Sequence, residues 1–288
     1  MNFLARTMGT VLAYSLLHPK RRKPHRSPSD FAVEIWDRKT VPTSDGKKLS
    51  CWLLHGEPQK LAVVGHGIGL SKSASLGQAA YLNSQGFTVL MFDHRNHGES
   101  SLDFNAMDMA RRFTLDVESC VSWLRTNAGE PDAKMVVFGY SFSTFPSVYS
   151  ASRGLVDIDA VVCDSGPGLT LESLFQGFMK AGKFPRIPGF TSPSSEAALK
   201  ESTAAAAVKM LGATWPPPPN AGLMSTIPMM FISGASDVVI EPQEVQALAD
   251  HYPNVQVAVL EGAHLGAFKE SKDAYRQTLS QFLQAVNA

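Results

Sequence analysis

A serine, an aspartate and a histidine, far apart in the chain, have the types and placement to make an activated nucleophile. Ser141 lies in Gly139-Tyr140-Ser141-Phe142-Ser143, after the apolar run 134–138 and before a segment, 142–151, able to start a helix. Asp237 ends Gly234-Ala235-Ser236-Asp237 after the apolar run 229–233, and His264 ends Glu261-Gly262-Ala263-His264 after the run 255–260. A serine hydroxyl is a weak nucleophile at neutral pH and needs a base to take its proton. An imidazole can be that base when a carboxylate fixes its tautomer and stabilises the imidazolium. A serine on a tight strand-to-helix turn also needs small residues two before and two after it, here Gly139 and Ser143. Taken alone, the pentapeptide is a weak signal that also occurs by chance, and an ordinary helix-capping serine is the alternative reading. Asp164, which also ends an apolar run, is the rival acid, and Glu241 is a weaker one.

Acyl transfer further requires donors for the oxyanion. The backbone N–H of Phe142, next after the nucleophile, is one candidate. The other is the N–H of Ile68 in Gly65-His66-Gly67-Ile68-Gly69, where glycines let the backbone approach a ligand. These glycines lack the G-x-G-x-x-G spacing of a dinucleotide site. The other histidines are worse placed for the base: His18, His25 and His55 precede the core or lie at its edge, and His251 closes a helix. His66, His94 and His97 come before the serine. For a substrate pocket the candidates are His66, Phe175, Phe178 and Trp215; with Met179 and Phe184, the aromatic ones could equally form a small core of their own.

The elements that must position these groups read as an alternation. Segments 31–41 and 49–54 flank the turn Ser44-Asp45-Gly46 and suggest an antiparallel pair at a sheet edge. Apolar runs at 61–65, 87–92, 134–138, 160–163, 229–233 and 255–260 then alternate with helical patterns at 73–85, 107–126, 142–151, 242–251 and 272–286. This predicts an α/β fold, a mostly parallel twisted sheet with helices on both faces. Between the runs ending at 163 and starting at 229 the chain is too long for an ordinary crossover. Helical spacing at 171–179 and 196–211, followed by Trp215 and four prolines, predicts a small helical cap over the carboxyl edge, where ligands bind in open α/β sheets. The expected organisation is an apolar helix and basic linker at 1–30, a core at 31–165 and 227–288, and a cap at 166–226.

Composition narrows the chemistry. The 288 residues carry 26 basic and 26 acidic side chains, so nothing global points to nucleic acid or a highly charged substrate. Cys51, Cys120 and Cys163 are odd in number and widely spaced, which suggests small buried apolar residues rather than disulfides or a metal cluster. That usage fits a reducing, cytoplasmic compartment. Residues 3–17 are mostly apolar but shorter than the roughly 18 needed for a confident membrane span. The basic cluster Lys20-Arg21-Arg22-Lys23 follows the apolar run, the wrong order for a signal peptide. Residues 3–26 could therefore make peripheral contact with an anionic membrane, or the helix could dock on the protein's own core.

The assembled motifs resemble the α/β-hydrolase superfamily, especially its bacterial esterase, lipase and acylaminoacyl-peptidase-like branches. They are His66-Gly67 after a strand, Asp93-His94-Arg95-Asn96-His97-Gly98-Glu99-Ser100, the serine pentapeptide, Asp237 and Gly262-Ala263-His264. The resemblance spans roughly residues 45 to 288. Two positions depart from its pattern: Ser143 stands for the last glycine of G-x-S-x-G, and Asn96 for a glycine of the second segment. Asn tolerates a left-handed backbone, so the loop shape can survive; Asp93 and Arg95 are expected to pair and pin that turn. The resemblance implies a covalent acyl-enzyme route with neither metal nor cofactor, acting on a small ester or acyl substrate. A peptidase, amidase, thioesterase or acyltransferase would use the same triad, and a non-catalytic binding module would keep only the fold. Epoxide hydrolysis and dehalogenation use a carboxylate at the elbow and are disfavoured.

Overall fold

Continuous apolar runs are stable as strands only when both sheet faces are covered. In the computed structural model, which describes residues 3–287, these runs form strands of one sheet. The outermost ends of segments 1–30 and 227–288 lie outside the described residues. The strands are β1 (Trp36–Pro42), β2 (Lys48–Leu54), β3 (Glu57–Val64), β4 (Phe87–Phe92), β5 (Lys134–Tyr140), β6 (Ala160–Asp164), β7 (Met229–Gly234) and β8 (Val255–Leu260). The helices, in chain order, are α1 (Phe3–Leu17), α2 (Leu76–Ser84), α3 (Met109–Ala128), α4 (Thr144–Arg153), α5 (Leu171–Phe178), α6 (Pro193–Leu211), α7 (Pro242–Ala249), α8 (Ala267–Glu270) and α9 (Lys272–Asn287).

The sheet has eight strands in the order β1-β2-β4-β3-β5-β6-β7-β8. Strand β2 runs antiparallel to both of its neighbours, and every pairing from β4 through β8 is parallel. Successive strand residues feed opposite faces. Val63, Leu90, Val137, Val161 and Phe231 join a core with α3, α4 and α7. Their neighbours Val64, Met91, Val136, Val162 and Ile232 join a second core with α2 and α9. The register pairs Tyr140 with Asp164, Asp164 with Ile232 and Gly234 with Leu260. The carboxyl ends of β5 through β8 therefore emerge along one rim, and the loops that follow them carry the candidate chemistry.

The edge pair matches expectation, but its first strand begins later. Residues Pro28–Phe31 form a 3-10 turn, closed by Asp30 Oδ2, which accepts from the Ser27 N–H at 2.7 Å. Val33 is buried there while Ile35 is 68% exposed. The alternation of Phe31, Val33 and Ile35 thus reflects a turn packed on the sheet, with pairing beginning at Trp36.

Above the rim, α5 and α6 share a third core with the start of α3, the residue after Ser141 and the end of α1: Phe113, Phe142, Phe145, Phe175, Ala207 and Leu17. Helix α1 lies on α6 through a stripe of every fourth residue, Ala5, Gly9, Ala13 and Leu17, all buried. A Cβ on Gly9 would sit 2.8 Å from Ser202, so the helices approach as closely as their backbones allow. No helix among the described residues is long and apolar enough to cross a membrane.

Candidate active site

Ser141 ends up where a strand turns abruptly into a helix. Its φ is +53°, a left-handed conformation that non-glycine residues adopt only under constraint. Gly139 permits the turn, because a Cβ there would meet the Ser143 carbonyl and the Thr144 Cα at 2.6 Å. The serine at 143 fits for a matching reason. Its hydroxyl occupies space that a Cβ on Gly65 would fill, at 1.8 Å, and bonds to His94 Nε2 at 2.8 Å. The glycine missing from position 143 is in effect replaced by one across the sheet at position 65.

The loops after β5, β7 and β8 bring the candidate residues together. Ser141 Oγ lies 2.9 Å from His264 Nε2, and His264 Nδ1 lies 2.7 Å from Asp237 Oδ2. Asp237 is buried, and its Oδ1 accepts from the N–H groups of Val239 at 2.8 Å and Ile240 at 3.0 Å. Those bonds leave Oδ2 for the imidazole. The two loops brace each other: the Ala235 N–H donates to Leu260 O at 2.7 Å and the Ser236 N–H to Gly262 O at 3.0 Å.

Asp164, the rival acid, ends β6 at the same rim but turns its carboxylate from the imidazole. It accepts from Tyr275 Oη at 2.6 Å, Gln78 Nε2 at 3.2 Å and Ser165 Oγ at 2.9 Å. Burial raises its pKa, against the lowering effect of those hydrogen bonds. Ser165 Oγ in turn accepts the Leu265 N–H at 3.0 Å, and Tyr140 Oη donates to the Leu265 carbonyl at 3.1 Å. Both sides of the residue after His264 are therefore gripped. Leu265 and Ser165 both have positive φ, +66° and +61°, so this strained loop is held by named side chains.

Gly67 runs beside the nucleophile, with a Cβ position 3.3 Å from Ser141 Cβ. Ile68 and Phe142 line one cavity with Ser141, together with Leu16, Leu174, Phe175, Phe178 and Val239. Its free volume is about 20 Å³, room for roughly one water molecule. Phe175 and Phe178, expected in a substrate pocket, thus line the same cavity as Ser141, whereas His66 and Trp215 do not. His66 is fully buried, with Nδ1 2.8 Å from Gly67 O and Nε2 accepting the His94 N–H at 3.1 Å, so it supports the loop from behind. Burial lowers its pKa well below the usual imidazole value. Trp215 packs on Phe145, 5.1 Å between ring centroids, and its indole N–H donates to Gly168 O at 3.0 Å. An indole N–H leaving water needs such an acceptor, and satisfying it holds the ring in an adjacent cavity that excludes Ser141. Leu174, four residues before Phe178 on α5, was missed but shares its helical face. Leu16 comes from α1, and nothing in the sequence linked that helix to the nucleophile.

The expected Asp93–Arg95 pair does not form. Asp93 instead binds Lys72, with Nζ at 2.6 Å and the backbone N–H at 2.7 Å. Arg95 binds Asp116, Asp103 and Asp45 at 2.7–2.8 Å. Both residues are fully buried, so each needs counter-ions of its own, and each finds them on other segments of the chain rather than in the other. Asn96 does take the left-handed conformation, at φ +65°.

Comparison with known proteins agrees with this architecture. Residues 56–197 match the family described as serine aminopeptidase, S33. An esterase of Pyrococcus furiosus superposes with a TM-score of 0.73 at 21% identity, covering 94% of this chain and 98% of that one. A thermophilic esterase of Thermogutta terrifontis gives 0.62 at 20% identity, covering 88% and 100%. An uncharacterized membrane protein of Saccharomyces cerevisiae is 23% identical, covering 86% of this chain and 79% of its own length. With a mostly parallel sheet and a strained serine turn at its rim, the chain has the α/β-hydrolase fold, and just under half of it, residues 56–197, is similar to the serine aminopeptidase family.

Proposed function

We propose that the protein is a serine hydrolase acting on carboxylic esters with apolar acyl groups. The observation that carries this reading is the continuous hydrogen-bonded line from Ser141 Oγ through His264 to Asp237. In the proposed reaction His264 Nε2 takes the Ser141 proton as Oγ attacks the carbonyl carbon. Asp237 stays ionised and holds Nδ1–H, fixing the tautomer. The tetrahedral oxyanion is received by the N–H groups of Ile68 and Phe142. His264 then protonates the leaving alcohol, the carbonyl re-forms, and an acyl-Ser141 ester remains. Water, deprotonated by the same imidazole, attacks that ester and releases the acid and the free serine.

The cavity favours esters over aminoacyl substrates. Its lining is apolar, and among the described residues no carboxylate lines it to receive a substrate ammonium. Its small free volume means that Leu16, Phe178 or Val239 must give way before an acyl chain enters. A panel of nitrophenyl esters of rising chain length, matched thioesters and aminoacyl amides tests the reading. Turnover of esters that disappears in Ser141→Ala supports it; preferential cleavage of aminoacyl amides would replace it with a peptidase.

A further inference from the structure

We propose that the outward face of α1 and the basic segment after it form a docking surface for an anionic lipid bilayer. The inward stripe of α1 is already occupied by α6, so the surface in question is the opposite one. By helical spacing Phe3, Thr7, Val11 and Tyr14 share one stripe. Phe3 is 83% and Val11 55% exposed. Tyr14 Oη donates to the Phe104 carbonyl at 3.3 Å, so the stripe continues into the loop before α3. There Phe104 and Met107 are exposed at 74% and 50%. Large exposed apolar side chains thus gather at α1 and the loop it touches. Immediately after the helix come Lys20, Arg21, Arg22, Lys23 and Arg26, all exposed, with Arg6 on the helix itself. Residues 3–29 carry these six basic side chains and no acidic one, so this segment of a protein of zero net charge is cationic.

Exposed apolar side chains on a helix that is followed at once in the chain by exposed basic residues match a surface that is negatively charged outside and hydrocarbon beneath. A nucleic acid would match the charge but not Phe3, Val11 and Phe104. The placement also bears on the nucleophile: Leu16 of α1 is part of the wall of the Ser141 cavity. A docked bilayer would lie about one helix diameter, roughly 10–12 Å, from that wall.

The test is flotation of the full chain with unilamellar vesicles of phosphatidylcholine alone, or of phosphatidylcholine with phosphatidylglycerol. The chain is expected to float with the mixed vesicles, to remain below with the neutral ones, and to be released at about 1 M salt, where screening lengths fall to about 3 Å. Changing Lys20→Gln, Arg22→Gln and Lys23→Gln together should weaken binding by on the order of a hundredfold. Val11→Glu should weaken it at unchanged charge elsewhere, with an unchanged circular dichroism spectrum showing the fold intact. Equal binding to both vesicle types, binding unaffected by the triple change or by Val11→Glu, or a chain that binds RNA and no vesicle would each overturn the proposal. Flotation does not depend on hydrolysis, so failure here leaves the triad reading standing, and an inactive serine leaves this proposal standing.

Discussion

Replacing Ser165 by Ala should slow turnover without weakening substrate binding. The Ser165 hydroxyl never reaches the nucleophile. It accepts the Leu265 N–H at 3.0 Å in a partly buried bond and donates to Asp164 at 2.9 Å in a buried one. Ser165→Ala leaves the Leu265 N–H without an acceptor and the Asp164 carboxylate one donor short. Each such buried group costs about 1–3 kcal/mol. Leu265 holds a φ of +66°, so the loop regains a comparable amount by relaxing toward an ordinary conformation. That relaxation moves His264, and a displacement of about 1 Å at a reacting group can cost a hundredfold. We therefore expect kcat on a short nitrophenyl ester to fall about 10- to 100-fold with KM little changed, and pre-steady-state acylation to fall in parallel. Tyr140→Phe removes the opposite grip, from Tyr140 Oη to the Leu265 carbonyl at 3.1 Å. Since both side chains hold one peptide, the double change should be non-additive. A Ser165→Ala protein with a lower melting temperature and unaltered kcat would refute the positioning argument, because it would show a purely structural bond.

Further outcomes follow from other contacts. Gly65→Ala places a Cβ 1.8 Å from Ser143 Oγ and should lower stability in denaturant unfolding by about 1–3 kcal/mol. Adding Ser143→Gly should restore most of that loss, and absence of rescue would contradict the exchange of glycine between the two positions. Gly9→Leu, blocked by Ser202 at 2.8 Å, should separate α1 from α6 and raise hydrogen exchange across residues 3–17 while the sheet stays protected. Burial pushes the His97 imidazole down to about 4 from 6.5, and lowers His66 as well, so both are neutral in the folded protein. Between pH 6.5 and 4 the unfolded chain binds more protons, so stability falls on acidification, by about 3 kcal/mol for His97 alone. Asp164, raised by burial, acts in the opposite sense above pH 3.8. Unfolding midpoints measured from pH 7 to 4 should decline through that window, and a flat profile would show that the buried imidazoles are not held neutral.

The sheet was readable because parallel strands buried on both faces leave continuous apolar runs, as in β4, whose bounds match the run 87–92. The candidate triad was readable for a related reason: each member directly follows such a run, and parallel strands deliver their carboxyl ends to one rim. What stayed hidden depended on partners remote in sequence. Trp215 has the size of a pocket residue, but its need for a hydrogen-bond acceptor, met by Gly168, is invisible in the chain. Asp93 and Arg95 are close enough in sequence to suggest a pair, yet Lys72 and Asp116 claim them from other elements. The every-fourth-residue stripe Ala5, Gly9, Ala13 of α1 was present in the sequence as a signal of close helix packing. Only the fold shows that its partner is α6 and that Leu16 therefore closes the cavity at Ser141.

The central claim is that one hydroxyl is activated by one imidazole. Reaction with a fluorophosphonate, followed by mass mapping of the adduct, tests this without knowledge of the natural substrate. The account predicts a single stoichiometric adduct on Ser141, with a rate that drops by orders of magnitude in His264→Ala. Labelling at another residue, or at Ser141 with an undiminished rate once His264 is removed, would contradict it.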